Sequence, residues 1–173
     1  TKARPEPARN VPFAIPITRS VARATCQRIA HIRGSALSEQ PHVMMFYAFA
    51  ATLLTFLVVD ALWIGVVARK IYTSELGDWM RSSPGFVAAG LFYVIFTAGI
   101  FYLAVYPAIG ASSPGLALLN GAVIGGLAYG TFTVTNYAIL QRWTLKLVIS
   151  DILWGVTISA ISALAGYLVA GGA

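Results

Sequence analysis

The chain has 173 residues, 58% hydrophobic and 10% charged, with a mean hydropathy of +0.75 and a formal net charge of +6. Soluble domains carry about 25% charged residues, so this depletion excludes an ordinary globular enzyme and makes a bilayer the expected solvent. The positive charge does not indicate a nucleic-acid partner: residues 1–43 hold seven Lys and Arg against two acids, whereas residues 44–173 hold five against four and carry no basic stripe.

Residues 1–43 read as a basic tail. Pro5, Pro7, Pro12 and Pro16 forbid a long helix early on. A short basic amphipathic helix fits Ile17 to Ile32, as a membrane-surface helix or a targeting peptide. The composition favours disorder. The chain starts at Thr1, and Met44 and Met45 directly precede the first apolar run. The tail therefore also reads as upstream sequence translated in frame, with the natural start at Met44 or Met45. Cys26, the single cysteine, excludes an internal disulfide and makes no metal site alone.

From Met44 the chain is expected to be all-α, an integral membrane four-helix bundle with spans of about 45–68, 85–108, 115–140 and 145–170. The first run, MMFYAFAATLLTFLVVDALWIGVVARK, is closed by Arg69 and Lys70 and holds one acid, Asp60. About 20 apolar residues cross the hydrocarbon core as a helix. Ser82-Ser83-Pro84-Gly85 and Ser112-Ser113-Pro114-Gly115 repeat one tetrapeptide, each offering a Ser N-cap and a Pro in the first turn. Pro107 is expected to end the second span, and Thr144 to cap the fourth. Residues 109–114 suit a tight hairpin between antiparallel helices.

The 69–84 connection carries three basic residues, 141–146 two and 109–114 none. Positive charge marks the cytoplasmic side, so the body places both its termini outside. That topology leaves the tail on the wrong side. Tyr72, Trp79 and Trp143 fall where an inner aromatic belt belongs, and Tyr106 on the outer side. In the third span, Gly121-xxx-Gly125 and Gly126-xxx-Gly130 suit close helix contact, within the bundle or at a dimer face.

The chemistry is expected in a repeated motif. Asp60-Ala61-Leu62-Trp63 and Asp151-Ile152-Leu153-Trp154 are both Asp-x-Leu-Trp, with acid and indole on one helix face. Each Trp is expected over its own Asp, as an N–H donor or a shield. At 1.5 Å per residue Asp60 lies about 13 Å from Arg69, Asp151 about 7 Å from Lys146, and Asn136 about 9 Å from Arg142. Tyr129, Thr133 and Asn136 share a face of the third span, and Tyr93 and Thr97 a face of the second. All four helices therefore aim polar groups at one inner-leaflet region.

One reading makes Asp60 and Asp151 proton, cation or acid/base sites in a cavity open to the cytoplasm. The other makes them polar glue, bonded to Asn136, Thr133 and Tyr93. Two carboxylates and an Asn make a poor zinc site, and His31 and His42 lie outside the spans, so no metal is expected. No Ser–His pair, phosphate loop or haem motif occurs in the body, so no cofactor is expected either.

The body resembles the bacterial membrane family catalogued as domain of unknown function 2177. The resemblance is carried by Asp60 to Trp63 with Gly65, Tyr72 and Gly77, by Ala88-Ala89 through Phe92-Tyr93, and by Val105 to Ala108. It continues through Gly121-Ala122, Gly125, Tyr129, Thr135-Asn136, Leu140 and Trp143 to Asp151 to Gly155. It implies a small four-span protein and no particular activity. Where the family pattern has an acid, this chain has Thr133, which favours a site built on two carboxylates.

The expected function is small-solute or proton-coupled transport at a buried polar site near the cytoplasmic side. There Asp60 and Asp151 titrate, Asn136 orients them, Trp63 and Trp154 wall the site, and Thr133, Tyr129 and Tyr93 complete it. The alternatives are a structural or accessory subunit and a membrane-embedded enzyme acting on a lipid or quinone; the missing catalytic motifs lean away from an enzyme. The expected partners are the bilayer and a second copy or another membrane protein, because four spans are few for a monomeric transporter.

Overall fold

The computed structural model describes residues 42–171, apart from 82 and 84. The readings placed on residues 1–41 lie outside the described residues. The described chain contains no strand and has four helices long and apolar enough to cross a membrane: α1 (His42–Trp79), α2 (Phe86–Gly110), α3 (Pro114–Ile139) and α4 (Leu145–Val169). The protein is an all-α membrane bundle, and many large apolar side chains, among them Leu54, Val87, Ile95 and Leu127, are exposed on its surface. Such a surface suits lipid, which is as apolar as the side chains themselves.

Two boundaries depart from the expected spans, each for a local reason. First, α1 does not stop near residue 68. It opens at His42, two residues before Met44, passes through a π-helical turn at Ile64–Ala68, and resumes as α-helix over Arg69–Leu76. Its α-helical part ends where Gly77 takes φ 54, a conformation that spares glycine the Cβ clash, and a 3-10 turn, Gly77–Trp79, closes it. Second, Pro107 does not end α2. A second π turn, Phe101–Val105, precedes it and the helix runs on to Gly110. In an α-helix the N–H that Pro107 lacks would bond the Leu103 carbonyl. Asn120 of α3 donates to that carbonyl instead, at 3.3 Å. Backbone polar groups in lipid need such a partner.

The two Ser-Ser-Pro-Gly repeats behave differently. Ser113 caps α3, its hydroxyl accepting the Leu116 N–H at 3.2 Å, with Pro114 in the first turn. At the other repeat, α2 starts at Phe86, and its N-cap position is taken by Gly85, which has no side-chain cap. Thr144 is N-cap of α4 by position, but its hydroxyl makes no cap bond.

The core sits on α4, which has ten buried residues between Leu147 and Tyr167, against four on α3. Its closest neighbour is α3. A Cβ added at Gly121 would lie 2.6 Å from the Ser159 carbonyl oxygen, and one at Gly125 would collide with that of Gly155. The first GxxxG pair is therefore a seam inside the bundle. Gly130, in the second pair, has open space beside it. Helix α1 packs along α4 through Thr52 beside Gly166, and onto α2 through Phe56, whose ring meets Tyr93 and Phe96 edge-on. These antiparallel contacts fix which side chains meet at the basic end of the bundle.

Candidate functional site

The register of α3 on α4 sets Gly121 against Ser159 and Gly125 against Gly155. One further turn places Tyr129 level with Asp151. On α1 the π turn sets the angles. Asp60 and Tyr72 are twelve residues apart, which is about 120° around an α-helix; a π turn absorbs one residue and brings the offset to about 20°. Asp60 and Tyr72 thus share a face that looks at α4.

Both acids are buried, Asp60 4% exposed and Asp151 7%. Both line one cavity of about 780 Å³ at the basic end. Trp63, Tyr93, Tyr129 and Trp154 line it too, with Tyr72 and, from the basic end, Arg69 and Arg81. Each carboxylate accepts a bond across the α1–α4 seam. Trp154 Nε1 donates to Asp60 Oδ1 at 2.8 Å, and the Tyr72 hydroxyl donates to Asp151 Oδ2 at 2.7 Å. The pairing is crossed: the indole bonds the acid of the other helix, not the Asp three residues before it as expected. The two repeats meet directly, because Trp63 and Trp154 stack with centroids 4.3 Å apart and planes at 7°. Tyr93 lies beside Asp60, and Tyr129 lies close to both acids.

One expected member stands elsewhere, and a second is shared with a neighbouring cluster. Asn136 makes no hydrogen bond to either acid and does not line the cavity; the α3–α4 register puts it level with Thr144, about two turns nearer the basic end than Asp151. Thr133, fully buried, accepts a hydrogen bond from Trp143 Nε1 at 2.9 Å. Its side chain also lies beside the Asp151 carboxylate, so it joins the acid site to a second, smaller cluster of Trp143, Leu147 and Val148, against which Ile71, Tyr72 and Leu76 of α1 pack. The Thr97 hydroxyl is used within its own helix, donating to the Tyr93 carbonyl at 2.7 Å.

Tyr72 and Trp143, read from sequence as belt aromatics, are inside the structure: Trp143 is 7% exposed and Tyr72 meets it edge-on. Trp79 is 54% exposed, with the Arg142 guanidinium 5.1 Å from its ring centroid, a cation–π contact. The site residues that sequence reasoning missed are Tyr72, Arg69 and Arg81. The signal for Tyr72 is the Gly65-containing segment that forms the π turn, which no α-helical periodicity reveals.

Among the described residues, no three His, Cys, Asp or Glu side chains come together in a way that could hold a metal ion. The arrangement joins two buried acids, aromatic walls and a lined volume. It can hold a small molecule against carboxylates, or exchange protons with one.

Neither the curated proteins nor the solved structures contain a match to this chain. The family model described as "Predicted membrane protein (DUF2177)" matches residues 45–168, a stretch that begins inside α1, ends one residue before the close of α4, and includes both Asp-x-Leu-Trp repeats. On that match, the chain belongs to the DUF2177 family of predicted membrane proteins.

Proposed function

We propose that the protein carries a small solute or protons through a polar site in the inner half of a bacterial cytoplasmic membrane. The single observation that supports this reading is the cavity of about 780 Å³ onto which both buried acids open. Acids in a bilayer are expensive and commonly mark substrate or ion pathways. Arg69, Lys70, Arg81, Arg142 and Lys146 all lie at the cavity's end of the bundle, and the positive-inside rule turns that end toward the cytoplasm. In this reading Asp60 and Asp151 bind and release the transported species. Trp154 and Tyr72 hold the carboxylates in place, and Trp63, Tyr93 and Tyr129 form the walls.

Proton flux into proteoliposomes, followed with an entrapped pH dye, tests the reading. Asp60→Asn and Asp151→Asn are each expected to lower it at least about tenfold while helix content is kept. Flux equal to wild type in both variants removes the proposal.

A second reading has its own observation: each carboxylate already accepts a hydrogen bond from the facing helix. On that reading the acids clasp α1 to α4 in a structural subunit. Wild-type protein then shows no flux, and the Asp→Asn variants fail by losing the folded bundle.

A further inference from the structure

We propose that the cavity is a binding site for a small organic cation bearing a quaternary ammonium group. The proposal rests on the cavity reading above and names the class of solute. Burial decides the sign of the ligand's charge. Asp60 and Asp151 are more than nine-tenths buried, whereas Arg69 and Arg81, which line the same cavity, are exposed. Exposed guanidinium groups answer to water and to lipid phosphate. Carboxylates 4% and 7% exposed have far less of either, so a cation beside them offsets the cost of their burial and an anion adds to it.

The walls decide the kind of cation. The stacked Trp63–Trp154 pair with Tyr93 and Tyr129 gives the cavity an aromatic lining. Aromatic faces attract a cation through the ring quadrupole and need no hydrogen bond from it. The carboxylates in turn already accept N–H and O–H donors from Trp154 and Tyr72. A ligand therefore does not have to donate to them, which suits a charge wrapped in alkyl groups better than a bare metal ion or a primary amine. The volume points the same way: about 780 Å³ is far more than one ion fills and lies within the roughly 300–1,000 Å³ of small-molecule sites.

Isothermal titration of the full chain in maltoside micelles tests the proposal. The probes are choline, benzyltrimethylammonium and 3,3-dimethylbutan-1-ol, the uncharged isostere of choline. Both cations are expected to saturate, and the isostere to bind at least about tenfold more weakly than choline. Asp60→Asn and Asp151→Asn are each expected to weaken choline about tenfold, and Lys70→Gln, at an exposed residue that does not line the cavity, to change it by less than about twofold. Trp63→Leu leaves both carboxylates and their donors in place and is expected to weaken choline about fivefold; it decides the matter where an Asp variant loses its helix content.

Absence of saturable binding by either cation, an isostere as tight as choline, or wild-type affinity in folded Trp63→Leu overturns the assignment. Cation binding with neither proton flux nor choline uptake into proteoliposomes upholds the ligand class and overturns the transport reading. Acid-dependent flux without cation binding does the reverse.

Discussion

Trp63 and Trp154 hold equivalent places in the two Asp-x-Leu-Trp repeats, yet Trp154 hydrogen-bonds an acid and Trp63 contributes a stacked face. The difference makes a prediction at this scale. Trp154→Phe keeps a ring in the stack but removes the donor to Asp60, and should lower stability in micelles by about 1–3 kcal/mol. Trp63→Phe alters the stack alone and should cost about 0.5–1.5 kcal/mol. Denaturant unfolding followed by helix circular dichroism measures both; a Trp63 variant costing more than the Trp154 variant contradicts the assignment. The repeat itself was legible in the sequence, because i, i+3 spacing puts Asp and Trp on one face. The crossed pairing was not: single-helix periodicity says which way a side chain points and nothing about which neighbour stands there. Asn136 shows the same limit. It shares a face with Tyr129, but only the α3–α4 register places it two turns away from the acids.

At the scale of elements, the glycines of α3 separate into two kinds that look identical in sequence. A Cβ at Gly125 would collide with the Gly155 carbonyl oxygen, whereas one at Gly130 meets nothing within 4 Å. Gly125→Ala should therefore destabilise the bundle by about 1–3 kcal/mol by forcing α3 from α4. Gly130→Ala should be neutral or stabilise it by up to about 1 kcal/mol, because glycine loses more backbone freedom in a helix than alanine. Unfolding curves of the two variants give the comparison, and equal shifts would contradict the packing described. The helix ends carry a further lesson. Pro107 read as a stop because a proline removes a backbone donor, and the structure keeps the helix going by a π turn and the Asn120 side chain. Asn120→Leu should then cost about 1 kcal/mol on the same unfolding curves, since it leaves the Leu103 carbonyl without that donor. The Ser113–Pro114 cap was legible because its chemistry is local; the rescue of Pro107 depends on another helix and was not.

For the whole molecule, composition pointed to the solvent, and the lengths of the apolar runs to the number of helices. The apolar runs are long enough to leave little choice, and α1 to α4 follow them to within a few residues except where α1 continues as far as Trp79. A cavity beside the two acids was one of the two readings of the sequence, but its volume and full lining were not legible, because they depend on four helices meeting and on a π segment that turns the α1 face. Orientation is a separate, testable matter. In a Cys26→Ser background, Ser74→Cys should react with a membrane-impermeant thiol reagent from the cytoplasmic side of the membrane, and Ser112→Cys from the opposite side. The reverse pattern would invert the bundle and detach the cavity from the cytoplasm.

The account turns on Asp60 and Asp151 facing one space that water can enter. The most direct measurement replaces each in turn by cysteine in the Cys26→Ser background and exposes the protein in oriented vesicles to an impermeant, water-borne thiol reagent. Modification of both positions from the side of Arg69 and Arg81, and of neither from the other side, is the predicted result. Two thiols that stay unreactive from both sides would contradict it and leave the acids as a dry clasp between α1 and α4.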